Sequence, residues 1–281
     1  MAIDIHAHPP TEEFLIESGG KYQKHAVEYF GHELQTWSIE EMVEEYEQTS
    51  VEKAVLLGWD AETNTGLPPI PNEYIADVVD EYPDFFIGFA GIDPRKGEAA
   101  VQELERAVED LGMKGVKLHP SAQGFFPNDP TFDPLWEKAI ELDVPILTHS
   151  GTTGFGAGGP GGDGIQLKYT QPIPYIDDLA ARHPELTIIM AHPPFPWEKE
   201  GVAVAQHKPN VYIDLSGYAP KYIPDIVIRY ANSLIPEKFL FGTDYPLISP
   251  EDWLAGFDEL DMKPESAERI LQTNAEELLG L

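Results

Sequence analysis

Short apolar runs alternate along this chain with longer stretches in which apolar positions recur every three or four residues. The runs at 55–57, 85–89, 115–119, 144–149, 186–192, 211–215 and 239–244 read as buried strands. The amphipathic stretches between them, 72–81, 98–111, 134–142, 175–181, a stretch to about 206, 223–234 and the closing 250–281, read as helices. Ser38-Ile39-Glu40-Glu41 forms a capping box that opens a further helix to about Gln48, and Gly112 is a natural C-cap. The first run, Ala2-Ile3-Asp4-Ile5-His6-Ala7-His8, alternates strictly. As a strand it places Asp4, His6 and His8 on one face and Ile3, Ile5 and Ala7 on the other, and Pro9-Pro10 ends it. Eight strand–helix units of similar length predict an α/β protein, a (β/α)8 TIM barrel in a single domain spanning 1–281, since no linker interrupts the rhythm. An open doubly wound sheet fits the same periodicity. Polar residues at strand C-termini favour the barrel, whose active site is built there.

Charge narrows the partners. With 18 basic and 49 acidic residues the formal charge is −31, which argues against nucleic acids and anionic membranes, both of which need basic surfaces. The acids are spread through apolar-rich helices, not gathered in a disordered tail, and predict a protein solvated by carboxylates in concentrated salt. The chain has no cysteine, so disulfides and thiolate ligands are excluded. No basic-then-apolar leader opens it and no apolar run approaches the ~18 residues of a membrane helix. The expectation is a soluble cytoplasmic protein acting on a small molecule, with association into homo-oligomers left open.

The candidate chemistry lies at strand ends. Strands one, five, six and eight end in His6 and His8, His149, His192 and Asp244. Imidazoles with a carboxylate suit a divalent ion of the zinc type that keeps one position open for water. A lone histidine at a strand end is more often a satisfied polar residue; the coincidence at four ends is the signal. Lys117 and His119 share a face of the fourth strand. A barrel-interior lysine paired to Asp4 or Asp214, with His119 lining the pocket, is the favoured reading there, and Asp214 could orient an imidazole. Gly154-Phe155-Gly156-Ala157-Gly158-Gly159 matches G-x-G-x-x-G, but Pro160-Gly161-Gly162-Asp163-Gly164 follows where a dinucleotide fold needs a helix. A flexible rim loop, a lid with Phe155 at its tip, is the better reading. Trp59, Trp197, Phe125 and Phe126 lie just beyond strand ends and could wall an apolar pocket. His25, His183 and His207 read as surface or loop residues, while the loop carrying His32 could fold over the rim.

Asp4-x-His6-x-His8, Gly115-Val116-Lys117-Leu118-His119-Pro120, Thr148-His149-Ser150-Gly151, Ala191-His192-Pro193, Asp214-Leu215-Ser216-Gly217, Gly242-Thr243-Asp244-Tyr245-Pro246 and Asn274-Ala275 together resemble the amidohydrolase-related ("amidohydrolase 2") family over nearly the whole chain. The resemblance implies a distorted (β/α)8 barrel with a metal, Zn2+ or alternatively Mn2+, held by His6, His8, His149 and Asp244. It also implies that His192 stands beside the metal as an acid/base or substrate-polarising residue. In binuclear relatives a carbamylated lysine bridges two metals at the position of Lys117, but the rest of the chain resembles the mononuclear branch. The family includes hydrolases, lactonases, non-oxidative decarboxylases such as aminocarboxymuconate-semialdehyde decarboxylase, and hydratases. Two departures stand out: the sixth-strand motif continues as Pro193-Pro194-Phe195-Pro196, and the segment before Trp37 has no arginine where the decarboxylases bind substrate with one. Lys21, Lys24, His25 and His32 are its cationic candidates. The expectation is therefore a hydrolase of a small lactone, ester or amide. Asp244 would act as base toward metal-activated water, His192 would stabilise the oxyanion, and His119, Lys117, Phe155 and Trp59 would line the substrate site. The alternative is a decarboxylase or hydratase of an unsaturated or aromatic acid. A binding protein that lost turnover would lack a ligand, and all five expected positions are filled.

Overall fold

The computed structural model describes residues 1–31 and 33–281, so the expectation for His32 lies outside the described residues. Eight parallel strands follow one another in chain order: β1 (Ala2–Ala7), β2 (Val51–Leu57), β3 (Phe86–Gly91), β4 (Val116–Leu118), β5 (Ile146–His149), β6 (Ile188–Ala191), β7 (Val211–Asp214) and β8 (Phe239–Leu240). Backbone bonds join the last strand to the first. Phe241 accepts from Ile5 N–H at 3.0 Å, Tyr245 from His8 N–H at 2.8 Å, and His6 from Asp244 N–H at 2.8 Å. This is the (β/α)8 barrel the periodicity predicts. Each strand is followed by helix, and the amphipathic stretches at Asn72–Glu81, Glu98–Glu109, Asp133–Glu141 and Glu198–His207 turn Ile75, Leu104, Trp136, Val202 and their like against the sheet.

Local chemistry sets the element ends. Ser38 Oγ accepts from Glu41 N–H at 3.1 Å while the Glu41 carboxylate accepts from Ser38 N–H at 2.8 Å, and the helix Ile39–Glu47 starts there. Gly112 has φ +71° just after the helix Glu98–Glu109. The regular part of β8 is two residues long instead of the six expected; beyond it Asp244 takes a left-handed backbone (φ 63°), and Phe241, Asp244 and Tyr245 each bond to the first run.

Two expectations need correction. The alternation in β1 does not hold: the register with β2 shifts between Asp4 and Ala7, the signature of a β-bulge. Ile3 and Ile5 join Val55, Leu57, Ile87, Phe89, Leu147, Ile189 and Leu240 in the barrel-filling cluster. Asp4 faces away from the site and accepts from Tyr46 Oη at 2.8 Å, on the helix Ile39–Glu47, and from the Thr243 hydroxyl at 2.6 Å. Burial pushes the Asp4 carboxyl up to about 6, against these hydrogen bonds. The segment after β1, given no element by periodicity, contains a π-helical turn (Glu13–Ser18) and a helix, α1 (Gly20–Tyr29), laid over the barrel mouth.

Candidate metal centre and substrate pocket

The bulge in β1 sends both histidines to the C-terminal rim. There His6 Nε2 lies 3.3 Å from Asp244 Oδ1, His8 Nε2 3.6 Å from the same oxygen, and His192 Nε2 3.9 Å from Asp244 Oδ2. His6, His192 and Asp244 each offer a ligand atom within 4.8 Å of the others, the one such group of three found among the described residues. His149 stands next to them, its ring 4.7 Å from that of His192. His192 and Asp244 both adopt left-handed backbones, φ 70° and 63°, a conformation that costs about 1–3 kcal/mol per non-glycine residue; Asp143 and Asp163, away from the rim group, share it.

Hydrogen bonds decide which nitrogen of each ring faces the pocket. Asp214 Oδ2 accepts from His6 Nδ1 at 2.9 Å, leaving the His6 Nε2 lone pair toward Asp244. The Ser216 hydroxyl donates to Asp214 Oδ1 by a short bond, so its oxygen accepts from His192 Nδ1 at 2.9 Å and His192 also presents Nε2. The Thr152 carbonyl accepts from His149 Nε2 at 2.9 Å, so His149 offers Nδ1. Burial, reinforced by the Lys117 charge, holds the His6 imidazole down at about 4; burial likewise keeps His8 and His149 well below the usual histidine range. Burial alone would raise Asp214, but the His6 contacts hold its carboxyl well below the usual carboxylate range.

These residues fit a divalent cation. With His6, His8 and His149 held below the usual histidine range, the floor offers unprotonated imidazoles beside a carboxylate, the donor set of zinc- or manganese-type sites. His8 Nδ1 is buried with no partner among the described residues. The stand-in cation is Lys117: its ammonium donates to His6 Nε2 at 2.9 Å. A metal ion held by His6 would take the place of this hydrogen bond. Burial brings Lys117 down to about 8, opposed by Asp244 and Asp214. Lys117 is therefore paired with His6, not with Asp4 or Asp214 as the sequence suggested, because the bulge removes Asp4 from the interior and His6 already occupies Asp214.

Above the floor opens a cavity of about 830 Å3, within the size range of small-molecule sites. Its walls include Phe14, Trp59 and Phe155. Phe14 lies parallel to the His8 ring at 4.5 Å, and Trp59 meets Phe155 at 5.1 Å and His119 at 5.4 Å. His119 stacks on His149 at 4.0 Å. The substrate-lining residues named from sequence, His119, Lys117, Phe155 and Trp59, thus meet around one cavity with the metal-type residues. Phe155 is not the tip of a free lid, however. It is buried and stacked on Tyr22 of α1 at 4.8 Å, which pins the glycine-rich loop down. That loop forms short turns, and no α-helix starts before Asp177. Trp197, Phe125 and Phe126 do not line the cavity; Phe125 packs on Phe132 and Trp136.

Sequence reasoning missed Phe14, Tyr218, Tyr245 and the α1 residues Ala26, Val27 and Tyr29 on the cavity wall. It also left Ser216 without a role, although its motif was legible. Gly217 adjoins it with φ +72°, and a Cβ there would sit 2.6 Å from His192 Nδ1, so only glycine leaves the ring its place.

A parallel barrel with histidines and an aspartate converging on its C-terminal rim is the arrangement of the amidohydrolase class, with a group that could hold a divalent ion. The amidohydrolase family model matches residues 3–281, and the chain belongs to that family. Decarboxylase orsB of Emericella nidulans is 28% identical over 248 residues, covering 73% of this chain and 72% of that protein. The 2-amino-3-carboxymuconate-6-semialdehyde decarboxylase of Dictyostelium discoideum is 32% identical over 78 residues, 28% of this chain and only 22% of that protein. An uncharacterised TIM-barrel protein from Bordetella bronchiseptica superposes with TM-score 0.82 at 28% identity, over 99% of this chain and 98% of that one. The 5-carboxyvanillate decarboxylase of Novosphingobium aromaticivorans, solved with bound manganese, has the same fold: TM-score 0.71 at 20% identity, over 100% and 97% of the two chains.

Proposed function

We propose that this chain is a metal-dependent carboxy-lyase that releases CO2 from a small planar aromatic or unsaturated acid. The observation that carries the reading is the pocket itself, an aromatic slot of Phe14, Trp59 and Phe155 set over a floor that holds a buried lysine beside the carboxylate–imidazole group. The hydrolase expectation leaned on the arginine-free first segment; a cation from another strand supports the lyase reading in its place. Lys21, Lys24 and His25 point to Asp163 and Glu28 outside the cavity, while among the described residues Lys117 on β4 is the lysine that lines the pocket. The decarboxylase names among the relatives and fold neighbours support the same reading.

A divalent ion held by His6, His8, His149 and Asp244 would supply a Lewis acid that draws electron density from the substrate. Zinc is the ion proposed first, and the manganese of the 5-carboxyvanillate enzyme makes manganese the alternative for metal analysis to decide. The aromatic walls hold the ring flat and exclude water. As the bond to the carboxylate breaks, its electron pair stays on the ring carbon, which must receive a proton. Asp244 and His192, through His192 Nε2, are the pocket-facing groups able to hold and deliver it. Asp214 and Ser216 keep His192 in the tautomer that exposes this nitrogen. We also propose that residues 1–281 work as one cytoplasmic domain, adapted to salt and taking small molecules only, with homo-oligomers allowed; no described helix is long and apolar enough to cross a membrane.

The test is isotopic. Incubated with a panel of hydroxybenzoates and unsaturated acids in D2O, the enzyme is expected to release CO2 and leave deuterium on the carbon that lost it. Turnover confined to lactones, esters or amides, with 18O from labelled water in the new carboxylate, overturns the reading in favour of hydrolysis.

A further inference from the structure

Thr153 lines the cavity between the β5 end and the glycine-rich loop, and its hydrogen bonds can be counted through. The backbone N–H of Ala122 donates to His119 Nδ1 at 3.1 Å. A backbone N–H cannot accept, so the His119 Nδ1 lone pair is used and the ring proton sits on Nε2. That Nε2–H lies 3.1 Å from Thr153 Oγ1, which therefore accepts it. The Phe155 N–H donates to the same oxygen at 3.0 Å. A hydroxyl has two lone pairs and one proton. Both lone pairs are taken, and among the described residues nothing accepts the proton. Two incoming N–H bonds polarise the O–H and strengthen it as a donor.

We infer that Thr153 is a substrate-anchoring residue whose hydroxyl, committed as a donor by His119 and Phe155, binds the carboxylate of the substrate. The cationic side chains of the first segment that are described are turned to Asp163 and Glu28. Among the donors that line the cavity, the Lys117 ammonium on β4 and this hydroxyl after β5 stand out: Thr152, Tyr29 and Tyr218 also bring hydroxyls to the wall, but Thr153 is the one whose two lone pairs are both engaged by N–H groups. The arrangement explains why His119, buried and without a place among the proposed metal ligands, is a histidine. Its two nitrogens link the turn Pro120–Gln123 to Thr153 and set which way that hydroxyl can point. The inference rests on the carboxy-lyase reading, and names what in this chain selects an acid.

The experiment measures binding, not turnover. Metal-loaded full-length protein is titrated by calorimetry with 2,6-dihydroxybenzoate and with resorcinol, the same ring without the carboxylate. Thr153→Val is expected to weaken the acid by ~10-fold or more, the usual scale for a lost hydrogen bond to a charged group, and to leave resorcinol within about twofold. Thr153→Ser, which keeps the hydroxyl, is expected to stay within about threefold of wild type for both. Thr153→Ala repeats the comparison without a branched side chain should the valine variant not fold. Equal weakening of both ligands makes Thr153 merely structural and overturns the inference. So does an unchanged affinity for the acid, or a wild type that binds the acid no more tightly than resorcinol. CO2 release by the wild type is scored separately. Its absence, with the acid-specific loss still seen, refutes the lyase reading and leaves the anchoring role standing.

Discussion

Asp214 is the residue on which the metal-type group turns. It accepts from His6 Nδ1 at 2.9 Å, from the backbone of His192 at 3.1 Å and of Ser216 at 2.9 Å, and from the Ser216 hydroxyl. Asparagine keeps the size but loses one acceptor and the charge that holds His6 in its tautomer. Asp214→Asn is expected to lower metal affinity by ~10- to 100-fold, read as metal retained after dialysis against a chelator. Wild type should carry about one ion per chain and lose turnover with it. His6→Ala or His149→Ala should lose the ion, whereas His192→Ala should keep most of it and lose rate; full occupancy with both His6 and His8 removed would sink the assignment. Acid titration probes the same imidazoles. A histidine held down at about 4 keeps its lone pair as pH falls through the ordinary value of 6.5, and protons compete only near the lowered value. Metal content should therefore hold from neutrality to roughly pH 5 and fall toward ~4, whereas release centred on ~6.5 would mean that burial does not protect His6.

At the scale of elements, α1 and the glycine-rich loop form one cover. Phe155 stacks on Tyr22, Gly156 N–H donates to the Tyr22 carbonyl at 3.1 Å, and His25 Nδ1 lies 2.6 Å from Asp163 Oδ2. Gly158, at φ +80°, lies so close to α1 that a Cβ would come within 2.7 Å of Tyr29 Cβ. Phe155→Ala removes the stack that joins the cover to the pocket wall. The loss of stability should fall below the about 3–5 kcal/mol of a closed core site, since Phe155 borders an open cavity. KM should rise more than kcat falls, because the wall positions the ring but carries no proton. Denaturant unfolding and steady-state kinetics check both, and an unchanged KM would show that the wall is not used.

The whole molecule carries a formal charge of −31, and its acids lie mainly on exposed helix faces such as Glu44, Glu47, Glu98 and Glu109. In dilute buffer these carboxylates repel one another and destabilise the compact state. At 1 M salt the screening length is only about 3 Å, so most of that repulsion disappears. Melting temperature is expected to climb from dilute buffer toward molar KCl, and a flat or falling profile would refute adaptation to salt.

Order along the chain was enough for the barrel, because strand–helix rhythm is local. The helix Asn72–Glu81 agrees with its periodicity to the residue, and the strand-end histidines announce the rim. Side-chain partners were not legible. His6 meets Asp214 across 208 positions and Lys117 across 111, and neither pair exists until the barrel closes. The β1 bulge escaped a period-two reading because it arises from pairing with β2 and from the Tyr46 and Thr243 hydroxyls that draw Asp4 outward. Likewise α1 was given no element, although Tyr22, Ala26 and Tyr29 recur at helical spacing; the run is short, and one side of it covers a cavity and not a packed core. The residue types able to hold a metal were thus written in the sequence. Which nitrogen each ring presents, which side chain Lys117 pairs with and which hydroxyl is left to donate were decided by tertiary closure, because each depends on hydrogen bonds between residues that only the closed barrel brings within 3 Å or so.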